Sequence, residues 1–198
     1  MRGFVVATMI AAALMTGACQ RHRNEAETPL ERPSTIVEPE TRVDAVPDEE
    51  PAVARQQWRA VSEQARTVTG NLRVSLEGRR GGPVVFAFAN GITIRAQPYN
   101  VVPADARSGA GGQSFAAILN GDPRVNAYLY RVVEENLIPG RVAQGGLCGA
   151  NPARHLAVSE FVDGSGRWVF KVAAFRGEAQ PPSSADPELC GAFAYQAQ

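Results

Sequence analysis

Apolar and polar side chains alternate over much of the second half of the chain, which predicts β-strands. Leu72, Val74 and Leu76 alternate with charged or polar residues, and this is the period of a strand with one buried face. Five further segments have strand-like patterns: residues 84–89, 92–96, 156–162, 167–175 and 190–195. Turn-forming residues between several of these segments favour antiparallel pairing.

The connections carry specific turn signals. Asn90-Gly91 lies between two predicted strands and predicts a two-residue type I′ hairpin, because both residues tolerate positive φ. Residues 163–166 read Asp-Gly-Ser-Gly and predict a four-residue hairpin loop. Residues 98–112 contain a glycine-rich run and predict a long loop.

Two segments show a helical period. Trp58, Val61, Ala65 and Val68 recur at helical spacing and predict a short amphipathic helix over residues 53–67. In the second segment, residues 122–136, an Asp-Pro pair is a typical helix start. Its β-branched and aromatic content favours a strand, so the sequence leaves helix and strand open there.

These patterns together predict the α+β class. The body of the chain, residues 53–198, is expected to form a single domain of mainly antiparallel β-strands with one or two helices.

The first residues of the chain predict export. Arg2 precedes an apolar run over residues 4–15, which is too short to span a membrane as a helix and is typical of a signal peptide. Small residues at positions 16–18 lead into Cys19. This segment resembles the lipobox of bacterial lipoproteins, in which the signal peptide is cleaved before a cysteine that becomes lipidated. The alternative is an ordinary signal peptide that leaves Cys19 as a free thiol.

The resemblance implies an address for the protein. Residues 1–18 are then the signal peptide, and acyl chains on Cys19 attach the protein to a membrane. The residue after Cys19 is Gln20, whereas an acidic residue there tends to hold such lipoproteins in the inner membrane. The resemblance therefore implies the outer membrane, with the body of the protein facing the periplasm.

Residues 19–52 have the composition of a tether. The stretch over residues 20–57 holds nine carboxylates and five arginines, and prolines recur along it without a sustained apolar period. Such a segment buries too little apolar area to offset its ordering entropy. We therefore expect a disordered spacer between Cys19 and the folded body.

The other two cysteines, Cys148 and Cys190, are expected to form a disulfide. They are an even pair in an oxidising compartment once Cys19 is lipidated. The bridge closes a loop of about 43 residues, worth about 4 kcal/mol in the chain-entropy model. Two free redox-active thiols are the alternative, but the pair lacks Cys-x-x-Cys spacing.

Candidate chemistry is sparse. His155 is the single histidine of the body, which is too few for a zinc site without several other ligands, so no metal or cofactor is predicted. Ser159, His155 and Asp163 are the residue types of a nucleophilic triad, yet no nucleophile-elbow motif accompanies them. Residues 58–198 carry a net charge of +3, and this mild excess does not indicate nucleic-acid binding. No catalytic residue is assigned.

Two classes of function follow. The first is a binding module of the cell envelope, whose partner is an envelope protein or glycan. One form of it is an inhibitor of a wall-degrading enzyme, because the segment over residues 108–115 resembles the Ser/Gly-rich inhibitory loop of lysozyme-inhibiting lipoproteins. The second class is an envelope enzyme on a divergent fold that uses His155. The sequence favours the binding module.

Overall fold

The computed structural model describes residues 57–198 except residues 143–144 and 183–187. The predicted signal peptide, Cys19 and the predicted tether over residues 19–52 lie outside the described residues. Within the described part of the chain, eight strands account for most of the regular structure.

The eight strands close into an antiparallel barrel. Each strand pairs with the next along the chain, and β8 pairs with β1. The strands are β1 Gln57–Ala60, β2 Leu72–Leu76, β3 Val84–Phe88, β4 Ile92–Val102, β5 Ala127–Leu137, β6 His155–Val162, β7 Trp168–Phe175 and β8 Leu189–Ala197. The predicted α+β class is therefore wrong, because the domain is mainly β. Closure gives the first and last strands a partner each and so removes the two free edges of an open sheet.

Of the helix predicted over residues 53–67, the described part is helical only from residue 63 onward, and residues 57–60 form a strand instead. Trp58 lies in β1 and is fully buried, and a single π-helical turn, Ala65–Thr69, follows. Pairing with β2 and β8 satisfies the backbone of β1. This tertiary pairing outweighs the helical period of the local sequence.

The open question at residues 122–136 is resolved as a strand. Residues from Ala127 onward form β5, whereas Asp122 accepts a hydrogen bond from the backbone N–H of Arg124 at 2.9 Å in the preceding turn. Tyr130 packs into the barrel interior from β5. A helix at this place would leave β4 and β6 without the strand that joins them.

The hairpin of β3 and β4 is confirmed, but its turn is not type I′. The N–H of Gly91 donates to the carbonyl of Phe88 at 3.0 Å, and Gly91 has a φ of 104°. Asn90 is not in the positive-φ region, which a type I′ turn requires at both central positions. Its side-chain amide donates to the carbonyl of Val68 instead.

Two other connections can be compared with their predictions. The β6–β7 hairpin loop is confirmed, with the N–H of Asp163 donating to the carbonyl of Arg167 at 2.8 Å. The long loop predicted from residue 98 begins later, since β4 continues to Val102. A shift in register between Pro98 and Asn100 accommodates the proline, which has no N–H to donate.

The two faces of the sheet bury different clusters. Inward side chains, many of them aromatic, fill the barrel. A second cluster lies on the outer face of β5, β6 and β7, where residues 103–121, including the short helix α1 (Phe115–Leu119), cover it. Phe115 is fully buried there.

The predicted disulfide between Cys148 and Cys190 is confirmed. The two Cα atoms are 5.1 Å apart, and 42 positions separate the residues in sequence. The bridge links the β5–β6 loop to the first residues of β8, so it holds the loop against this end of the barrel.

Candidate functional site

Five inward-facing side chains lie side by side on the four strands β4 to β7 at one end of the barrel, which we call the open rim: Val101, Tyr128, Glu160, Val162 and Trp168. Val101 pairs with Tyr128, and Val162 pairs with Trp168. Val101, Val162 and Trp168 are 36%, 46% and 39% exposed. The rim thus presents an apolar and aromatic surface to solvent.

Glu160 lies between the two aromatic residues of the rim. It pairs with Phe170, so Trp168 is its diagonal neighbour on β7. Tyr128 pairs with Val158, so Tyr128 is its diagonal neighbour on β5. Diagonal neighbours on one face have Cα atoms about 7–8 Å apart, within reach of long side chains.

The electrostatics of the rim support this placement. Partial burial raises the pKa of Tyr128 above its usual value, and the negative charge of Glu160 raises it further. A carboxylate affects the pKa of a phenol in this way only when the two groups are close.

Aromatic rings beneath the rim form a floor. Trp58 stacks on Phe170 with ring centroids 5.0 Å apart, and Phe86 meets Tyr130 edge to face at 5.6 Å. These side chains are buried. A ligand at the rim would therefore rest on a packed interior.

The opposite end, which we call the disulfide end, is built from the 65–69 turn, the β5–β6 loop and the Cys148–Cys190 bridge. The carboxylate of Glu135 accepts hydrogen bonds from the backbone N–H groups of Leu147 at 2.6 Å and Ala153 at 2.8 Å. A cleft of about 290 Å³ lies beside the bridge. These contacts hold the loop that carries Cys148.

His155 lies at the start of β6 with its ring buried against the outer face. It meets the ring of Tyr99 edge to face at a centroid distance of 6.1 Å. Its Nδ1 atom has no hydrogen-bond partner among the described residues. Burial lowers the pKa of His155; a hydrogen bond to the backbone of Gly177 opposes that effect, while the charges of Arg131 and Arg154 add to it.

Ser159, His155 and Asp163 do not come together as a triad. Ser159 and His155 share the outer face of β6 but are four residues apart, about 13 Å at strand spacing. Asp163 lies in the β6–β7 turn, where hydrogen bonds from Ser165 and Arg167 lower its pKa to about 2. No proton relay between these three side chains is possible in this arrangement.

The segment over residues 108–115 covers the barrel instead of projecting from it. Ser108 is fully buried, and its hydroxyl donates to the carbonyl of Gln113 at 2.8 Å. The same oxygen accepts from the N–H of Ala110 at 3.2 Å. Ser108 is therefore not presented to a partner, and the hydroxyl of Ser114, the second serine of the segment, accepts from the N–H of Ala117 as the N-cap of α1.

Two findings concern metals and membranes. Over residues 57–142, 145–182 and 188–198, no group of three or more His, Cys, Asp or Glu side chains is placed to hold a metal ion. In the same part of the chain, no helix has the length and apolar character needed to cross a membrane.

The residues of the open rim were not singled out by sequence. Trp168 lies in the segment over residues 167–175, which the sequence predicts only as a strand. Glu160 carried a usable signal, because it follows Leu156 and Val158 at alternate positions. A carboxylate at an inward position of a strand indicates either a strand end or a site.

No protein-family model, curated protein or solved structure matches the chain. Two places in the described structure could act on a partner or a substrate: the open rim and the surroundings of His155. Of the two, the open rim is the one that a partner reaches without displacing a buried side chain, since His155 is 4% exposed.

Proposed function

We propose that this protein is a lipid-anchored module of the cell envelope that binds a partner through the open rim. The observation that carries the proposal is the solvent-exposed cross-strand pair of Val162 and Trp168. Exposed apolar clusters that include an aromatic residue are typical of interaction surfaces, and tryptophan is enriched among the residues that dominate binding energy.

The anchor in this proposal is Cys19. Acylation at Cys19 would hold the protein on the periplasmic side of the outer membrane. The chain between Cys19 and β1 spans up to about 120 Å when extended. Such a length lets the barrel sample partners in the surrounding envelope, either a protein or a glycan.

Binding is favoured over the alternative of an enzyme that uses His155. The Nδ1 atom of His155, which has no hydrogen-bond partner in the described part of the chain, is the one observation in favour of chemistry there. The ring is buried against Tyr99 and has no nucleophile at hydrogen-bond distance among the described residues. Reaction at this histidine would require a rearrangement that binding at the rim does not need.

Retention on envelope fractions tests the proposed surface. The Cys19→Ser chain is incubated with purified cell-wall and outer-membrane fractions, and the bound amount is measured. Trp168→Ala and Val162→Ala should each reduce retention. Val133→Ala is a matched control, because Val133 is 50% exposed and lies outside the rim. Equal retention of the Trp168 and Val133 variants would exclude the rim as the binding surface.

Fractionation of cells tests the anchor independently. The wild-type protein should incorporate labelled palmitate and partition into detergent, because several acyl chains are needed for stable membrane attachment. The Cys19→Ser protein should appear in the soluble fraction. Continued membrane retention of that variant would contradict the lipobox assignment.

A further inference from the structure

We infer that the open rim binds an organic cation, an ammonium or guanidinium group of the partner, between Tyr128, Trp168 and the carboxylate of Glu160. This inference rests on the proposed function and specifies its ligand chemistry. The group would come either from a small amine or from a basic side chain, and the two sources share the same recognition chemistry.

The geometry places one negative charge between two aromatic rings. Glu160 has Tyr128 as its diagonal neighbour on one adjoining strand and Trp168 on the other. The three side chains share the inward face at the end of the barrel. Their strands are paired on both sides, so the backbone that carries them is held in a fixed register.

The residue types match a cation more closely than a neutral or anionic ligand. Aromatic faces attract ammonium and guanidinium groups, tryptophan most strongly, and a neighbouring carboxylate adds a charge-assisted hydrogen bond. Val101 and Val162 flank these groups and can contact the methylene or methyl carbons next to the charge. An anion would meet the repulsion of Glu160.

Titration with small cations tests the inference on the full-length Cys19→Ser chain. The probes are choline, n-butylammonium and n-butylguanidinium, and the readout is tryptophan fluorescence. Trp168 is exposed whereas Trp58 is buried, so the response should be dominated by Trp168. At least one probe should give a saturable change, and the uncharged carbon isostere of choline, with a tert-butyl group in place of trimethylammonium, should give none.

Variants separate charge recognition from apolar contact. Glu160→Gln should weaken cation binding about tenfold, equivalent to about 1.4 kcal/mol. Trp168→Leu should weaken it comparably, measured by calorimetry because the fluorophore is lost. Glu63→Gln is the matched control, since Glu63 is exposed next to the 65–69 turn at the disulfide end, and it should bind like the parent chain.

Three results would overturn the inference: no saturable response to any cation, equal binding of the uncharged isostere, or unchanged affinity in Glu160→Gln. These results are distinct from failure of the proposed function. If Trp168→Ala still loses envelope retention, the rim remains the binding surface and only its preference for cations is wrong.

Discussion

The hydroxyl groups of Thr69 and Tyr195 share a hydrogen bond of 2.7 Å inside the disulfide end of the barrel. Both residues are fully buried. The hydroxyl of Thr69 also donates to the carbonyl of Ala65 at 2.9 Å. One pair of side chains thus ties the 65–69 turn to β8, and the turn is held over the barrel end by a contact between residues far apart in sequence.

Removal of the Tyr195 hydroxyl should destabilise the protein. Tyr195→Phe keeps the ring in the core but leaves a buried oxygen of Thr69 with one partner fewer. We expect the free energy of unfolding to fall by about 1–2 kcal/mol, measured by denaturant unfolding. A double-mutant cycle with Thr69→Val should give a coupling energy near 1 kcal/mol. Strict additivity of the two substitutions would show that the bond contributes no pairwise stability.

Loss of the disulfide should have a larger effect. The double variant Cys148→Ser/Cys190→Ser should lose about 4 kcal/mol of stability, because the bridge closes a long loop of the unfolded chain. Denaturant unfolding in the absence of reductant measures the difference. Peptide mapping of the untreated parent protein should find Cys148 and Cys190 joined, whereas alkylation of both thiols without reductant would contradict the bridge.

The stability of the body should fall on mild acidification. The pKa of His155 is below its usual value in the folded protein and is close to 6.5 in the unfolded chain. The unfolded state therefore binds the proton at higher pH, so the free energy of unfolding decreases as the pH falls below about 6.5 and stops decreasing below the folded-state pKa.

Substitution of His155 should flatten this pH dependence. His155→Gln does not titrate, so its stability should change less than that of the parent between pH 6.5 and pH 5. The chain has one other histidine, His22, and His22→Gln is the matched control that should retain the parent profile. Identical profiles for the parent and His155→Gln would rule out His155 as the titrating group.

Glu135 should be more important for stability than its neighbour Glu134. Its two oxygens each accept a backbone N–H of the loop that carries Cys148. Glu135→Gln exchanges one acceptor for an amide N–H₂ and should cost about 1–3 kcal/mol. Glu134→Gln, at an exposed position on the other face of β5, should be nearly neutral. Hydrogen exchange of Leu147 and Ala153 should accelerate only in the Glu135 variant.

Prediction from sequence succeeded where the structure depends on nearby residues. Strand alternation located β2, β3, β6 and β7, and turn chemistry located the β3–β4 and β6–β7 hairpins. The prediction failed at Trp58. The apolar residues of that segment have a helical spacing, but Trp58 lies in β1 and pairs with β8. That pairing partner lies more than 130 positions away in sequence, so no local pattern could reveal it.

The open rim was beyond local reasoning for the same physical reason. Tyr128, Glu160 and Trp168 come from three strands, and only the register of β5, β6 and β7 places them around one opening. His155 is a related case: the sequence predicts a strand that begins at the next residue, but the burial of His155 against Tyr99 depends on a residue of another strand.

The sequence by itself determined six of the eight strand segments, two hairpin positions and the Cys148–Cys190 pair, because these follow from side-chain period, from backbone preference and from the pairing expected of two cysteines in an exported protein. The tertiary structure alone decided that the sheet closes and which residues meet at its two ends. A strand has two edges and two faces, and its own residues do not specify the partner for either. When β8 pairs with β1, every strand has a partner on both edges. The two ends of the closed barrel are then the open rim and the disulfide end.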